Sequence, residues 1–325
     1  MASSTDERRV NYGRRFFWFA VAIVVTGLAY TGGWYYAADR LVAEVNARVA
    51  AANRDGRRAN CENPEARGYP FRIGVYCRSV MFEDARRGLR LRAKELRTVA
   101  QVYQPHRVIA ELDGPASIEV PGVSALDLSW ETMRASIRYA RPIPERTSLA
   151  GTRVEVRLAD EGDGSPAVAT AETAEFHMRP AGEGVDLASR FSGLVLHPDL
   201  VGTDSLPPLS GLVDLVLDQL GSEPRARSGT IRTIALNIDD ETGATISGPV
   251  AIDEDGLIDA QLEVTLRNPR AIGAILAEAL PESRREIEFG MSGLAALGDT
   301  PTLPLSISKS QMRLGFISLG TIPPL

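Results

Sequence analysis

The chain has 325 residues, of which 44% are hydrophobic and 24% are charged, and its formal net charge is −6. This composition excludes an intrinsically disordered chain, and the acidic balance argues against nucleic acid as a partner. About 280 residues remain after the first N-terminal segment, which suits one large domain or two small ones.

The segment Phe16–Ala38 is a run of 23 uncharged, mostly apolar residues. A helix of this length reaches roughly 34 Å, enough to cross a hydrocarbon core of roughly 30 Å. Aromatic residues, which favour the headgroup level, stand at both ends: Phe16, Phe17 and Trp18, then Trp34, Tyr35 and Tyr36. The sequence therefore predicts a single transmembrane helix over residues 16–38.

The flanking charges predict the orientation of this helix. Arg8, Arg9, Arg14 and Arg15 precede it, and positively charged flanks stay in the cytoplasm. We expect residues 1–15 in the cytoplasm and the rest of the chain in the periplasm, held by a signal anchor in the inner membrane. A cleaved signal peptide is the alternative, but its apolar core is only about 7 to 15 residues long and ends at a small-residue site.

A membrane-exit helix segment is predicted next, over residues 39–58. Its helix covers roughly residues 38–52, because Leu41, Val45 and Val49 recur at helical spacing, and residues 53–58 end it. Residues 40–110 hold 15 basic and 7 acidic residues, whereas residues 111–325 hold 17 basic and 32 acidic ones. The basic part would lie near anionic headgroups. The alternative is a genomic base composition that favours arginine, since the chain has 34 arginines and 2 lysines.

Two cysteines, Cys61 and Cys77, both follow the apolar run. An even pair in an exported domain favours a disulfide. A zinc site is the sharper alternative, but two thiols without histidines at ligand spacing do not complete four ligands. Two unconnected thiols are the third interpretation.

Apolar residues alternate with polar ones from Phe71 onward, which is typical of strands. The sequence signals Asp113-Gly114, Pro121-Gly122, Asp163-Gly164 and Asp255-Gly256 predict hairpin turns between such strands. The predicted strands are centred on Ile73, Ala110, Ile118, Leu128, Ala135, Val156, Leu236, Leu262 and Leu305.

Two helices interrupt the strands in this prediction, one over Leu209–Leu220 and one over Pro269–Leu280, with Asn268 as N-cap. Leu314–Leu325 is predicted to be a buried C-terminal strand. The fold class is α+β, with an antiparallel, strongly curved periplasmic sheet and few short helices. Proline-rich residues 197–208 suggest a boundary between two β-rich subdomains, residues 59–200 and 201–325.

Sequence motifs for catalysis are missing, including the nucleophile elbow, the zinc-protease motif and the phosphate-binding loop. His106, His177 and His197 stand apart from one another at no metal-ligand spacing. The acidic clusters 239–241 and 253–255 are interpreted as hairpin turns. We therefore expect no catalytic residue, no cofactor and no metal. A hydrolase of envelope polymers would need a carboxylate pair brought together by the fold.

Four segments carry a resemblance to a bacterial membrane-anchored family, domain of unknown function 2125. They are TGGWYY at 31–36, CENPEARGYPFRIGVYC at 61–77, VYQPHRVIAELDGPA at 102–116 and GFISLGTIPPL at 315–325. The resemblance covers nearly the whole chain and implies a topology but no activity.

A second resemblance, to AsmA-like envelope proteins, rests on Gly68-Tyr69-Pro70-Phe71 and on the general layout. It implies an apolar groove that handles lipid, and the candidate groove residues are Phe71, Ile73, Val75, Val108 and Leu112. An ordinary closed core gives the same alternation. The leading hypothesis is a non-enzymatic envelope protein that binds phospholipid or assists outer-membrane assembly, and the alternative is a scaffold for another envelope protein.

Overall fold

The structure is a computed structural model that describes residues 12–54, 56–122, 124–159, 167–201, 206–218, 227–315 and 317–324. A long N-terminal helix, α1 (Tyr12–Ala52), leads into an open antiparallel sheet, and three shorter helices follow: α2 (Pro198–Val201), α3 (Pro269–Ala279) and α4 (Arg284–Ala295). The predicted α+β class is thus confirmed, while the strong curvature of the sheet stays a prediction.

Within the described residues the sheet has 20 strands. The first ten are short: β1 (Arg57–Cys61), β2 (Glu65–Arg67), β3 (Arg72–Cys77), β4 (Val80–Asp84), β5 (Leu89–Ala93), β6 (Leu96–Gln101), β7 (Gln104–Leu112), β8 (Ala116–Glu119), β9 (Leu126–Ser129) and β10 (Thr132–Arg138).

The remaining strands begin with seven of 9 to 13 residues. They are β11 (Arg146–Leu158), β12 (Ala169–Ala181), β13 (Gly184–Leu196), β14 (Leu209–Leu217), β15 (Arg227–Asn237), β16 (Gly243–Ile252) and β17 (Ile258–Arg267), followed by β18 (Thr302–Ser308), β19 (Gln311–Leu314) and β20 (Ile317–Thr321).

The short strands act in collinear pairs. β3 pairs with β2 and β6, whereas β4, which continues its direction, pairs with β1 and β5. The same relation holds for β1 with β2, β5 with β6, β7 with β8 and β9 with β10. This part is therefore a meander of five long strands, each broken once. We call this part, residues 57–138, the kinked region.

The breaks lie side by side and form a line across the sheet. Asn63 lies at the first break with a positive φ of 49°, and Gly114-Pro115 interrupts the fourth strand. Proline has no amide hydrogen to donate to a ladder, so the pairing stops there. The line ends in β11 at Arg153, whose φ is 47°. Asp113-Gly114 was predicted to be a hairpin turn, and that is wrong, because β7 and β8 continue one another and do not pair.

After β11 each strand pairs with the next, up to β20. We call β11–β17 the straight region. The buried apolar cluster at its end consists of Ala260 and Leu262 of β17 and Ile307 of β18, and the partly buried Ile246 and Leu305 pack against it. The Asp255-Gly256 turn joins two paired strands, as predicted, while Asp163-Gly164 lies outside the described residues.

Two sequence predictions need correction. Leu209–Leu217 is strand β14 and not a helix, because both of its neighbours offer it a full hydrogen-bond ladder. The C-terminal strand exists as β20, but it is not buried: Leu319 is half exposed, and β20 pairs only with β19 among the described strands. The exit helix is continuous with the anchor and ends at Ala52, as predicted, and residues 57 and 58 belong to β1.

Helix α3 follows its prediction closely. Asn268 is the N-cap, and its side-chain oxygen accepts a hydrogen bond from the amide of Ala271, while Pro269 opens the helix. α4, which packs against α3, was not predicted. None of its residues is buried, and it is less apolar overall than α3. The division into subdomains near residue 200 stays a prediction, and β13 and β14 pair across it.

Candidate functional site

A cavity of about 930 Å³ lies between α1 and the kinked region. Its volume falls within the usual range of ligand sites, roughly 300 to 1,000 Å³. One wall is a stripe of α1, and the other is formed by β3, β6 and the start of β7. The α1 wall comprises Tyr30, Gly33, Trp34, Ala37, Arg40, Leu41, Val45 and Val49, and the sheet wall includes Ile73, Val75, Leu96, Val99, Ala100 and Val108.

The helix wall exists because α1 continues past the apolar run with one apolar face. Tyr30 and Val49 are 19 residues apart, which is roughly 28 Å along a helix. Trp34 and Ala38 are almost completely buried, so the helix rests on the protein at this level. Gly33 has no side chain to project from this wall, and a Cβ at this position would point into open space, with no other atom within 4 Å.

The sheet wall contains a gap in its ladder. β3 and β6 pair on either side of Gly74 and Val75 but not at these two residues. The Thr98 hydroxyl fills the gap by donating to the carbonyl of Val75 at 3.0 Å and accepting from its amide at 2.8 Å. Gly74 is required here, since a Cβ on it would lie 1.7 Å from the Thr98 carbonyl oxygen.

The disulfide Cys61–Cys77 forms part of the cavity wall. Its two residues lie at the ends of β1 and β3, with Cα atoms 5.2 Å apart, and both line the cavity. β1 and β3 do not pair with each other, because they lie on opposite sides of the line of breaks. The disulfide therefore joins the strands on one side of that line to the strands on the other side.

Among the described residues that line the cavity, Arg40 is the one with a charged side chain. It follows the end of the apolar run by two positions, and its Nε donates to the Tyr36 hydroxyl at 3.2 Å. A guanidinium at this level pairs well with phosphate oxygens. The rest of the wall is apolar apart from single hydroxyls such as those of Tyr30 and Thr98.

Three of the five predicted groove residues, Ile73, Val75 and Val108, come together in this cavity. Phe71 does not, because β3 begins at Arg72 and Phe71 lies in the preceding turn with 69% of its surface exposed. Leu112 lies at the end of β7, where its carbonyl accepts a hydrogen bond from the Trp130 indole, and it lines a smaller pocket at the line of breaks.

The helix wall was missed by the sequence prediction. The stripe of Leu41, Val45 and Val49 was recognised as helical, and an apolar stripe beyond the membrane run requires something to pack against. That requirement was the available signal, but it does not say which strands lie opposite.

Two further pockets, each about 380 Å³, are polar. In the straight region Asp186 accepts from Arg179 Nε at 2.8 Å and from Arg232 at 3.0 Å, and Arg232 also pairs with Asp214 at 3.1 Å. The Arg179 hydrogen bond is the largest of several causes that lower the pKa of Asp186 below its ordinary value.

The second polar pocket lies at the line of breaks. Its carboxylates are ion-paired as well: Asp113 with Arg97 at 2.6 Å, Glu111 with Arg134 at 2.7 Å and Glu131 with Arg153. In the predicted acidic turns, the carboxylates of Asp239 and Asp253 each accept hydrogen bonds from two backbone amides of their own turn. Of the histidines, His177 contacts Ser148 at 3.0 Å and Glu175 at 3.4 Å.

Within the described residues, α1 alone is long and apolar enough to cross a membrane, and none of its most apolar window is buried inside the protein. No curated protein has a sequence that matches this chain. The sequence profile of a bacterial family described as an uncharacterized protein conserved in bacteria, DUF2125, matches residues 34–323. This match includes nearly all of the cavity wall and the whole sheet, and the chain therefore belongs to the DUF2125 family.

Proposed function

We propose that this protein is a non-enzymatic envelope protein, anchored in the inner membrane, that draws a phospholipid acyl chain from the bilayer into the cavity between α1 and the sheet. The observation that carries the proposal is the position of the cavity. It begins beside Tyr30 and Trp34, inside the apolar run, and continues to Val49 and Val80, well beyond its end.

The dimensions of the cavity suit a lipid chain. One leaflet supplies about 15 Å of hydrocarbon, and the α1 wall from Ala38 to Val49 extends roughly 16 Å past the apolar run. A chain that leaves the leaflet along this wall exchanges one apolar environment for another, so its transfer needs no contact with water. Arg40, near the exit from the membrane, is placed to pair with the phosphate of the headgroup.

A non-catalytic role is supported by the state of the carboxylates. Those that line the polar pockets are ion-paired with arginines, and for Asp186 the hydrogen bonds from Arg179 and Arg232 lower the pKa of the carboxyl group. A glycosidase-type hydrolase needs one carboxyl group held protonated as a general acid.

The test uses the full chain, because residues 30–37 form part of the cavity wall. Reconstitute it in vesicles of phosphatidylcholine and phosphatidylglycerol that contain a trace of phosphatidylcholine with a diazirine in its acyl chain. After irradiation and digestion, mass spectrometry locates the adducts. We expect adducts on Val45 or Val49 and on sheet residues such as Ile73 and Val108, in addition to the apolar run.

Two neighbouring residues of β7 supply the matched variants. Val108 lines the cavity, whereas Ile109 is 48% exposed and does not. Val108→Trp should remove the sheet adducts, and Ile109→Trp should retain them. A second blocking variant, Gly33→Trp, fills the cavity from the helix side. Adducts confined to residues 16–38 in the wild-type protein would overturn the proposal.

A scaffold function is the second candidate, and β20 is the observation that favours it. This strand pairs with β19 on one side and with no other strand among the described residues. An open edge of this kind accepts a strand from a partner. Crosslinking of a photoreactive residue at Leu319 to another envelope protein, with no lipid adducts on the sheet, would favour the scaffold.

A further inference from the structure

Two adjacent turns of the kinked region, one between β2 and β3 and one between β6 and β7, expose a group of apolar and aromatic side chains. Phe71 and Tyr103 are 69% and 70% exposed, and Tyr69 and Val102 are also exposed. The Val102 amide donates to the Phe71 carbonyl at 3.1 Å, so the turns form one unit. We call these four residues the aromatic tip.

Hydrogen bonds fix the tip to α1 at a known level. The Tyr30 hydroxyl donates to the Pro70 carbonyl at 2.6 Å, the Thr31 and Tyr69 hydroxyls are 2.8 Å apart, and the Trp34 indole donates to the Arg72 carbonyl at 2.9 Å. The Tyr69 ring also contacts the rings of Trp34 and Tyr35, with centroids 5.4 and 6.0 Å away.

These contacts place the tip at the depth of the membrane surface or below it. Tyr30 and Trp34 precede the end of the apolar run, Ala38, by eight and four residues, which is about 12 and 6 Å along a helix. If the run spans the bilayer, the tip cannot lie in bulk water without breaking these bonds.

The chemistry of the tip matches that level. Tyrosine favours the interface between headgroups and hydrocarbon, and phenylalanine and valine favour the hydrocarbon. Arg72, exposed beside the tip, reaches phosphates at the same level. The far end of the same strands differs, since the turn between β4 and β5 exposes Arg86 and Arg87.

We propose that the aromatic tip inserts into the periplasmic leaflet of the bilayer as a second membrane contact beside α1. The tip and α1 together hold the sheet upright on the membrane, with the broken strands directed away from it. This proposal depends on α1 as an anchor but not on lipid in the cavity.

Site-directed spin labelling tests the insertion. Both native cysteines are in the disulfide, so under non-reducing conditions a nitroxide attaches only at an introduced thiol. The full chain is labelled as Phe71→Cys, Tyr103→Cys or Arg87→Cys and reconstituted in phosphatidylcholine and phosphatidylglycerol vesicles. Relative collision rates with oxygen and with a water-soluble nickel chelate give the depth of each label.

We expect the labels at 71 and 103 to lie about 5 to 10 Å below the phosphates and the label at 87 to lie in water. All three positions are exposed, so the labels leave the fold intact. Equal access of the nickel chelate to all three labels would overturn the insertion, and the tip would then be a surface for a protein. Photolipid adducts on the sheet are independent of this outcome, so the two proposals fail separately.

Discussion

The kinked and straight regions share one sheet but obtain their internal order by different means. In the kinked region the strands have 3 to 9 residues before a break. Among the described residues α1 covers their apolar face, and the cavity lies between the helix and that face. In the straight region strands of 9 to 13 residues pair along most of their length, and a charged cluster around Asp186 occupies the polar pocket.

This difference shows which part of the sheet depends on contacts other than the pairing of its own strands. Breaks and gaps in a sheet leave backbone groups to be satisfied by side chains. The Trp130 indole does this at the line of breaks and the Thr98 hydroxyl in the gap of the β3–β6 ladder. Breaks and gaps also leave apolar surface that a neighbouring strand does not cover. The kinked region therefore needs α1, the disulfide and Gly74 in addition to its ladders, whereas the straight region depends on continuous pairing and on the ion pairs of the buried Asp186 carboxylate. Four predictions follow this contrast.

Gly74→Ala is expected to have the largest effect. The new Cβ would lie 1.7 Å from a backbone oxygen of β6, so β3 must move away and break the Thr98 bridge. We expect a loss of about 3 kcal/mol or more in local stability, measured by hydrogen exchange of β3 and β6 amides. Gly293→Ala in α4, where a Cβ meets nothing within 4 Å, is the control. Unchanged protection of β3 would contradict the close approach.

Removal of the disulfide in the double variant Cys61→Ala, Cys77→Ala should come next. Closing a loop of 16 residues is worth about 3 kcal/mol in the chain-entropy model. Hydrogen exchange should quicken in β1–β6 while β15–β17 keep their protection, because these lie outside the loop. A uniform loss of protection in both regions would show that the two are one cooperative unit.

The sequence predicted the strands where one face is buried, and it did so for a physical reason. Ile258, Ala260, Leu262 and Val264 alternate because β17 has its apolar side against the buried cluster. β14 was mistaken for a helix because a short, nearly continuous apolar run fits either structure, and only the neighbouring strands decide.

The cavity was half predictable. Ile73, Val75 and Val108 follow from alternation, which specifies a face, but alternation does not say what covers that face. The opposite wall, the depth of the tip and the exclusion of Leu112 depend on contacts between residues about 40 positions apart, such as Tyr30 and Pro70. One sequence carries no direct signal for such contacts.

In the straight region, Asp186→Asn should cost less, about 2 kcal/mol, because it weakens hydrogen bonds from charged donors at a nearly buried site. Hydrogen exchange of β12, β13 and β15 reports the loss, and the kinked region should be unaffected. Glu183→Gln, in the exposed turn before the same strand, is the matched control. A loss confined to β1–β10 would contradict the separation of the two regions.

The smallest effect is the pH dependence of this same cluster. The pKa of Asp186 is lowered in the folded protein, first by the Arg179 hydrogen bond and further by Arg232. A carboxyl group with a lowered folded pKa contributes its stability above its unfolded pKa, about 3.9, and loses it as the pH falls through the folded value. The stability difference between wild type and Asp186→Asn should thus be constant from pH 7 to about 5 and shrink below about 4. If the difference were the same at pH 3 as at pH 7, the carboxylate charge would not be what holds Arg179 and Arg232, and packing alone would order the straight region.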